Sequence, residues 1–539
     1  MGAAGRLAVE AEKAGFRVAV PVGGSDYVDG ERARALILRV LWLYGYLAGS
    51  SLGSRGALKL AHGRYGDVVP TGKLYLVLDE VSRENPIVEM VWETARGLWR
   101  SYGDGVKTAV LLAFKLYEEA ARLQRDYKLP PSVVEEGYWA AYRIHRETLR
   151  ELALRTPRPT CMQAAMSLLT GSQARELLAG LLCRALDRYR AAPCRLPFSE
   201  AVAFERIEGG ALQDTSLYPG VAVRKGLARP GMAAYRRGPL RVAVVDQKLY
   251  VDLKYEGVRF HSSDPLAALD IAEAASRQAL WAVEAARRLG VDLLVNVKGV
   301  DPLVEERLER LGVTVLRRVP PERARLIAAA TGARLVSRLQ DLGPGDLGVA
   351  GGLEARAYRG SRYTLIEAPR SCASTILVRG PWYAVDTAYE EARMAARGLE
   401  AYLADPRGLP GGGAPEVEAA LRVREAARRV GGKAQLAMEA YARAVEVIPR
   451  TLARHVGLDP EEALARLEAL HATGSWAAGV DEGSMSLAGD TAALGLLDLY
   501  PVRLAALDAG FSLAASLLRV TGIAVHRRGA SLRVSRWSR

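Results

Sequence analysis

Residues 100–123 read Arg-Ser-Tyr-Gly-Asp-Gly-Val-Lys-Thr-Ala-Val-Leu-Leu-Ala-Phe-Lys-Leu-Tyr-Glu-Glu-Ala-Ala-Arg-Leu. The turn Gly103-Asp104-Gly105 runs directly into a helix, because Val110, Phe114, Tyr117 and Ala121 recur at helical spacing and face a core. Glycines let the backbone approach a ligand closely, and the free N–H groups of the next helical turn attract phosphate. Asp104 is the kind of side chain that holds a metal carried on such a phosphate. An aspartate between two turn glycines also serves as an ordinary helix cap.

Outward from this stretch, 539 residues are enough for more than one domain. Half of them are hydrophobic and 25% are charged, which describes a globular chain and excludes a disordered one. The sequence shows no apolar run expected to span a bilayer. Its start, Met-Gly-Ala-Ala-Gly-Arg, leads into a charged segment and not into a secretion signal. The expectation is a soluble cytoplasmic protein. The net charge of +13 comes mainly from scattered arginines, apart from a basic tail at Arg527, Arg528, Arg533, Arg536 and Arg539. Scatter of this kind fits a surface laced with Arg ion pairs and argues against a nucleic-acid partner. The four cysteines, Cys161, Cys183, Cys194 and Cys372, form no Cys-x-x-Cys pair and so no zinc site. They are compatible with one disulfide or with free buried thiols.

The Gly-Asp-Gly stretch resembles the Gly-Asp-Gly-Thr-Thr-Thr phosphate loop of group II chaperonins, the archaeal thermosome and its eukaryotic relatives. Other segments follow in that family's order over nearly the whole chain. Leu52-Gly53-Ser54-Arg55-Gly56 is similar to Leu-Gly-Pro-Lys-Gly. Glu208-Gly209-Gly210 through Asp214-Thr215 resembles the entry to the family's apical domain. Gly411-Gly412-Gly413-Ala414-Pro415-Glu416 is similar to Gly-Gly-Gly-Ala-x-Glu, and Ile448-Pro449-Arg450-Thr451-Leu452-Ala453 precedes Gly457-Leu458-Asp459-Pro460, as in the family. Gly479-Val480-Asp481 and Tyr500-Pro501-Val502-Arg503 resemble two further nucleotide-side motifs.

The resemblance implies an α+β multidomain chaperonin fold. A helical equatorial domain takes residues 1–150 and 404–539, and a small intermediate domain takes 151–212 and 365–403. An α/β apical domain takes 213–364, with a helical lid protrusion at about 246–285. Strands are expected at 17–21, Arg241–Val245, Asp292–Val297 and Val313–Leu316, and a long helix at Pro265–Leu289. All four cysteines then fall in the intermediate domain.

By the same resemblance, nucleotide contacts fall on Leu52, Gly53, Arg55, Asp104, Gly105, Val106, Lys107, Thr108, Gly412, Gly413 and Asp481, with Asp104 as the metal ligand. Several family positions are altered. Val106 and Lys107 replace phosphate-loop threonines, and Lys73 stands where the family has a metal-side aspartate. Met394 or Ala395 takes the place of the aspartate that activates water, and neither can act as a base. Tyr500 replaces the ribose-binding acid. No residue is assigned a catalytic role. The charge-swapped Lys73 and Lys107 either pair with Asp104, holding the pocket in one state without nucleotide, or face solvent.

The implied function is a ring subunit that binds unfolded proteins and assists their folding. ATP and Mg2+ sites are retained only in part, and hydrolysis is weak or lost. The expected partners are non-native client proteins and like or related subunits in a double ring. Two alternatives remain: a working ATP-dependent chaperonin, and a structural or regulatory paralogue that binds no clients.

Overall fold

The computed structural model describes residues 26–62, 68–79, 85–169, 174–249 and 281–525. The strand expected at 17–21, most of the expected lid segment and the basic tail lie outside them. The chain divides into two compact units, residues 1–159 with 405–539, and residues 160–404.

The first unit is helical, and its centre is the Val106–Asp126 helix. This helix is buried almost all round, from Val106 through Leu116 and Tyr117 to Leu123. It begins where the Pro86–Tyr102 helix ends. That helix is opened by Asn85, whose side chain accepts from the Ile87 N–H at 2.9 Å, with Pro86 in the first turn. It is closed by Gly103 in the left-handed conformation. Gly105, also left-handed, is the N-cap of the central helix, so Asp104 is not the cap.

Helices Gly30–Ser50, Pro131–Arg155, Gly432–Val445 and Tyr500–Leu518 pack around this centre. Small residues set the closest crossings: a Cβ on Gly45 would collide with Phe114, and one on Gly510 with the backbone of Ala109. The Tyr500–Leu518 helix is long and apolar enough to cross a membrane by length and composition alone. The apolarity has a local cause: Ala506, Leu507, Phe511, Ala514 and Leu517 form part of the core. Two small antiparallel pairs complete the unit's edge, Asp26–Asp29 with Gly522–Val525 and Lys59–His62 with Val68–Thr71.

The second unit is α/β. One sheet runs in the order Gly220–Val223, Ser361–Glu367, Gly348–Tyr358, Tyr235–Val245, Leu293–Asn296, Thr314–Leu316, and Leu335–Val336 pairs with Tyr235–Val245. The Val242–Val245 end of the Tyr235–Val245 strand and the two strands beyond it are parallel and buried, as expected for their continuous apolar runs. A three-stranded sheet, Val202–Glu208, Ser374–Gly380 and Ser216–Tyr218, lies in the same unit with the Trp382–Ala404 helix. All four cysteines are paired: Cys161 with Cys183, joining helices Cys161–Leu168 and Arg175–Ala191, and Cys194 with Cys372. The sequence reading of one bond or free thiols is corrected to two disulfides. Spacing along the chain could not show that Cys194 and Cys372, 178 residues apart, meet in space.

Candidate functional site

The N-terminus of the central helix gathers charge from three other elements. Arg503, in the first turn of the Tyr500–Leu518 helix, donates to the Thr108 hydroxyl at 3.1 Å. The same guanidinium pairs with Glu416 at the start of the Ala414–Val430 helix and lies 3.5 Å from Asp498 on the Leu497–Leu499 strand. Glu416 is 3% exposed, and its Oε2 is buried with no hydrogen-bond partner among the described residues. Desolvation pushes the Asp498 carboxyl up to about 6; Arg503 opposes this, while Glu416, Asp104 and Glu482 add to it. Three carboxylates and one buried arginine therefore act on Asp498 here.

The 51–56 turn is tied to the same place. The Lys107 ammonium donates to the Ser51 carbonyl at 2.6 Å. Gly53 is left-handed (φ +74°), and the loop it shapes turns its donors on Glu482. The Ser54 N–H and hydroxyl reach the Glu482 carboxylate at 2.9 and 3.0 Å, and the Arg55 N–H reaches it at 3.4 Å. Arg55 Nε completes the contact on the Glu482 carbonyl at 2.6 Å. On the other side of the turn, the Leu52 carbonyl lies 3.0 Å from His455 Nδ1.

The Gly411–Gly413 run is needed for close backbone packing. A Cβ on Gly412 would strike the backbone of Val480, whose N–H donates to the Gly412 carbonyl at 2.9 Å. A Cβ on Gly413 would press on Pro449. This packing holds the Gly479–Asp481 strand against the start of the Ala414–Val430 helix. Asp481 spends its carboxylate on its own turn, accepting from the Ser484 hydroxyl at 2.6 Å and the Gly483 N–H at 2.8 Å. The Ser484 bond, first among the causes, holds the Asp481 carboxyl below its ordinary range.

The structure thus brings Gly105, Val106, Lys107 and Thr108 together with the Leu52–Arg55 turn, and Gly412 and Gly413 with the strand that carries Asp481. Lys73 and Lys107 are 4% and 8% exposed, so neither is a solvent-facing lysine; that branch of the sequence reading is corrected. In the second unit, Met394 and Ala395 are buried on the Trp382–Ala404 helix. Glu390 is engaged with Arg393, and Asp386 with Arg206. Sequence reasoning missed four members of the cluster. Glu416 and Arg503 sit inside motifs already quoted and were legible there. Asp498 showed only as one acid within Leu496-Leu497-Asp498-Leu499, and Glu482 only as the acid after Asp481.

The profile of the TCP-1/cpn60 chaperonin family matches residues 46–528, and the chain belongs to that family. It is similar to the thermosome subunit beta of Thermococcus kodakarensis, 32% identical over 86% of each chain. It is also similar to the thermosome subunit of Methanopyrus kandleri, 32% identical over 94% of each chain. The thermosome subunit of Pyrococcus abyssi is 31% identical over 94% of this chain and 93% of its own. A mixed helix-and-sheet chain of two compact units agrees with this membership.

Proposed function

We propose that this chain is a group II chaperonin subunit that joins rings of like or related subunits and binds non-native proteins. We propose further that its nucleotide site is only partly retained and that its hydrolysis is weak or lost. In this reading, residues 1–159 with 405–539 contain the equatorial domain, and 160–404 the intermediate and apical domains. The observation that carries the nucleotide reading is the helix start behind Gly103 and Gly105, both left-handed, next to the glycine turn at Gly53. Such a start aims free N–H groups outward and suits a phosphate. Leu52, Gly53, Arg55, Gly105, Val106, Lys107, Thr108, Gly412, Gly413 and Asp481 would line it.

Among the described residues, no three His, Cys, Asp or Glu side chains are placed to hold a metal by themselves. Mg2+ arriving on phosphates needs only one or two carboxylates, and Asp104 is the first candidate. The bound metal would supply Lewis-acid stabilisation of the phosphates. Weak hydrolysis is supported by what stands at the altered positions: a buried Lys73 at the metal-side acid and Met394 or Ala395 at the base. Losing one such group commonly costs on the order of 100-fold in rate.

Steady-state Mg-ATP hydrolysis at high temperature tests the reading, with Asp104→Ala as the control for contaminating activity. The expected result is turnover at least about 100-fold below that of a thermosome subunit assayed alongside. Full turnover that vanishes in the variant would overturn the weakened-site reading and favour a working ATP-dependent chaperonin. Client binding is read separately, by protection of a chemically denatured protein from aggregation. No protection, with or without nucleotide, would leave only the structural paralogue.

A further inference from the structure

The hairpin formed by strands Gly479–Asp481 and Ser486–Ala488 carries Glu482 at its tip, and the tip is shaped to present it. Asp481 folds the turn through Gly483 and Ser484, and Met485 adopts a left-handed φ of 57° that a side-chain-bearing residue rarely takes. The Glu482 carboxylate sits directly on Gly53, where a Cβ would collide with it. Two backbone N–H groups and one hydroxyl from Ser54 and Arg55 converge on it, and its own carbonyl holds the Arg55 side chain. A glycine turn whose donors point at one small anion is the arrangement that otherwise receives a phosphate oxygen. A carboxylate satisfies the same donors through the same charge-assisted bonds.

We propose that Glu482 is a built-in stand-in for phosphate: it occupies the donor turn at Gly53–Arg55, so that a nucleotide's phosphate gains those donors only when the hairpin tip gives them up. This rests on the nucleotide reading given above and adds a regulatory element to that site. Two observations tie the tip to the site and not merely to a surface loop. The turn is joined to the helix start through the Lys107–Ser51 bond. The charges of Glu482, Asp104 and Glu416 all act on Asp498. A phosphate entering beside an undisplaced Glu482 would meet a like charge as well as occupied donors.

The test is calorimetric titration of the full chain with sodium tripolyphosphate and, separately, with ATP, at fixed ionic strength. Wild type, Glu482→Ala and Glu482→Gln are compared. Tripolyphosphate carries no base or ribose, so it reports on the phosphate donors of the site, and the change at Glu482 isolates the share of the Gly53–Arg55 turn. The expected result is that Glu482→Ala binds tripolyphosphate about tenfold or more tightly than wild type, with Glu482→Gln between them, as freed charge-assisted donors would give. Glu482→Gln preserves the size of the side chain and one acceptor, so it reports even if the hairpin loosens in the alanine variant. Unchanged or weaker tripolyphosphate binding in both variants overturns the proposal, as does a failure of every form to bind it. Tighter tripolyphosphate binding without any ATP binding supports the stand-in and overturns the nucleotide reading instead.

Discussion

Arg503 reaches Thr108, Glu416 and Asp498 from one position, and it is the cation set against Glu416, which is 3% exposed. Replacing it by methionine would leave that carboxylate buried without its partner, at a cost of about 3–5 kcal/mol. Denaturant unfolding of Arg503→Met should show this loss. Pairing it with Glu416→Gln should recover much of it, because the double variant no longer buries a lone charge at position 416. Asp498 gives a different signature. In the folded protein its carboxyl holds a proton up to about 6, against an ordinary value of 3.8, so between those limits the folded state binds more protons than the unfolded one. The stability this group contributes is full below the lower limit and is lost as pH rises through the upper one. Asp498→Asn should therefore flatten the fall in unfolding midpoint across that window. Parallel profiles for variant and wild type would assign the slope to other groups. At this scale the sequence was legible wherever a residue type implies a backbone need. Gly53, Gly103, Gly105, Gly412 and Gly413 all adopt positive φ. It was silent on Glu482 and Asp498, since a lone acid in a loop or strand looks the same whether it faces water or another acid.

Periodicity located the Val106–Asp126 helix well, because a helix buried on nearly every face carries apolar residues at every helical offset. The crossings around it were not legible: nothing in the pattern of one helix says that Gly510 meets Ala109 or that Gly137 meets Ala437. The same holds for the ion network that ties four helical segments together. Glu446 is fully buried between helices Gly432–Val445 and Val447–His455, is ion-paired with Arg424 and accepts a hydrogen bond from Arg450. Arg424 continues to Glu468 at 2.6 Å, and Arg450 to Glu461 at 2.9 Å. Desolvation raises the Glu446 carboxyl above its ordinary range, against the pull of both arginines. Glu446→Ala breaks the buried end of the network and should cost about 3 kcal/mol or more in denaturant unfolding. Glu461 is largely exposed, so Glu461→Ala should cost less than about 1 kcal/mol. Equal losses would mean that burial does not set the strength of these pairs.

Across the molecule, the two units are held together internally by different means. The helical unit relies on one large apolar core and contains none of the four cysteines. The α/β unit has several smaller apolar clusters and both disulfides. A cross-link stabilises chiefly by removing conformations from the unfolded chain, and more so for a longer closed loop. The Cys161–Cys183 bond closes 22 residues and should be worth about 3 kcal/mol, while Cys194–Cys372 closes 178 and should be worth about 5 kcal/mol. Reductant should therefore lower the unfolding temperature of the 160–404 unit and leave that of the other nearly unchanged. Calorimetry with and without reductant reads the shift, and hydrogen exchange followed by peptide mapping assigns it to one unit. Paired cysteine-to-serine variants then separate the bonds, with Cys194/Cys372 expected to cost more than Cys161/Cys183. An equal shift in both units would mean that they unfold as one cooperative body. The larger loss falling on the short loop would mean that strain or residual structure in the unfolded chain outweighs loop entropy here.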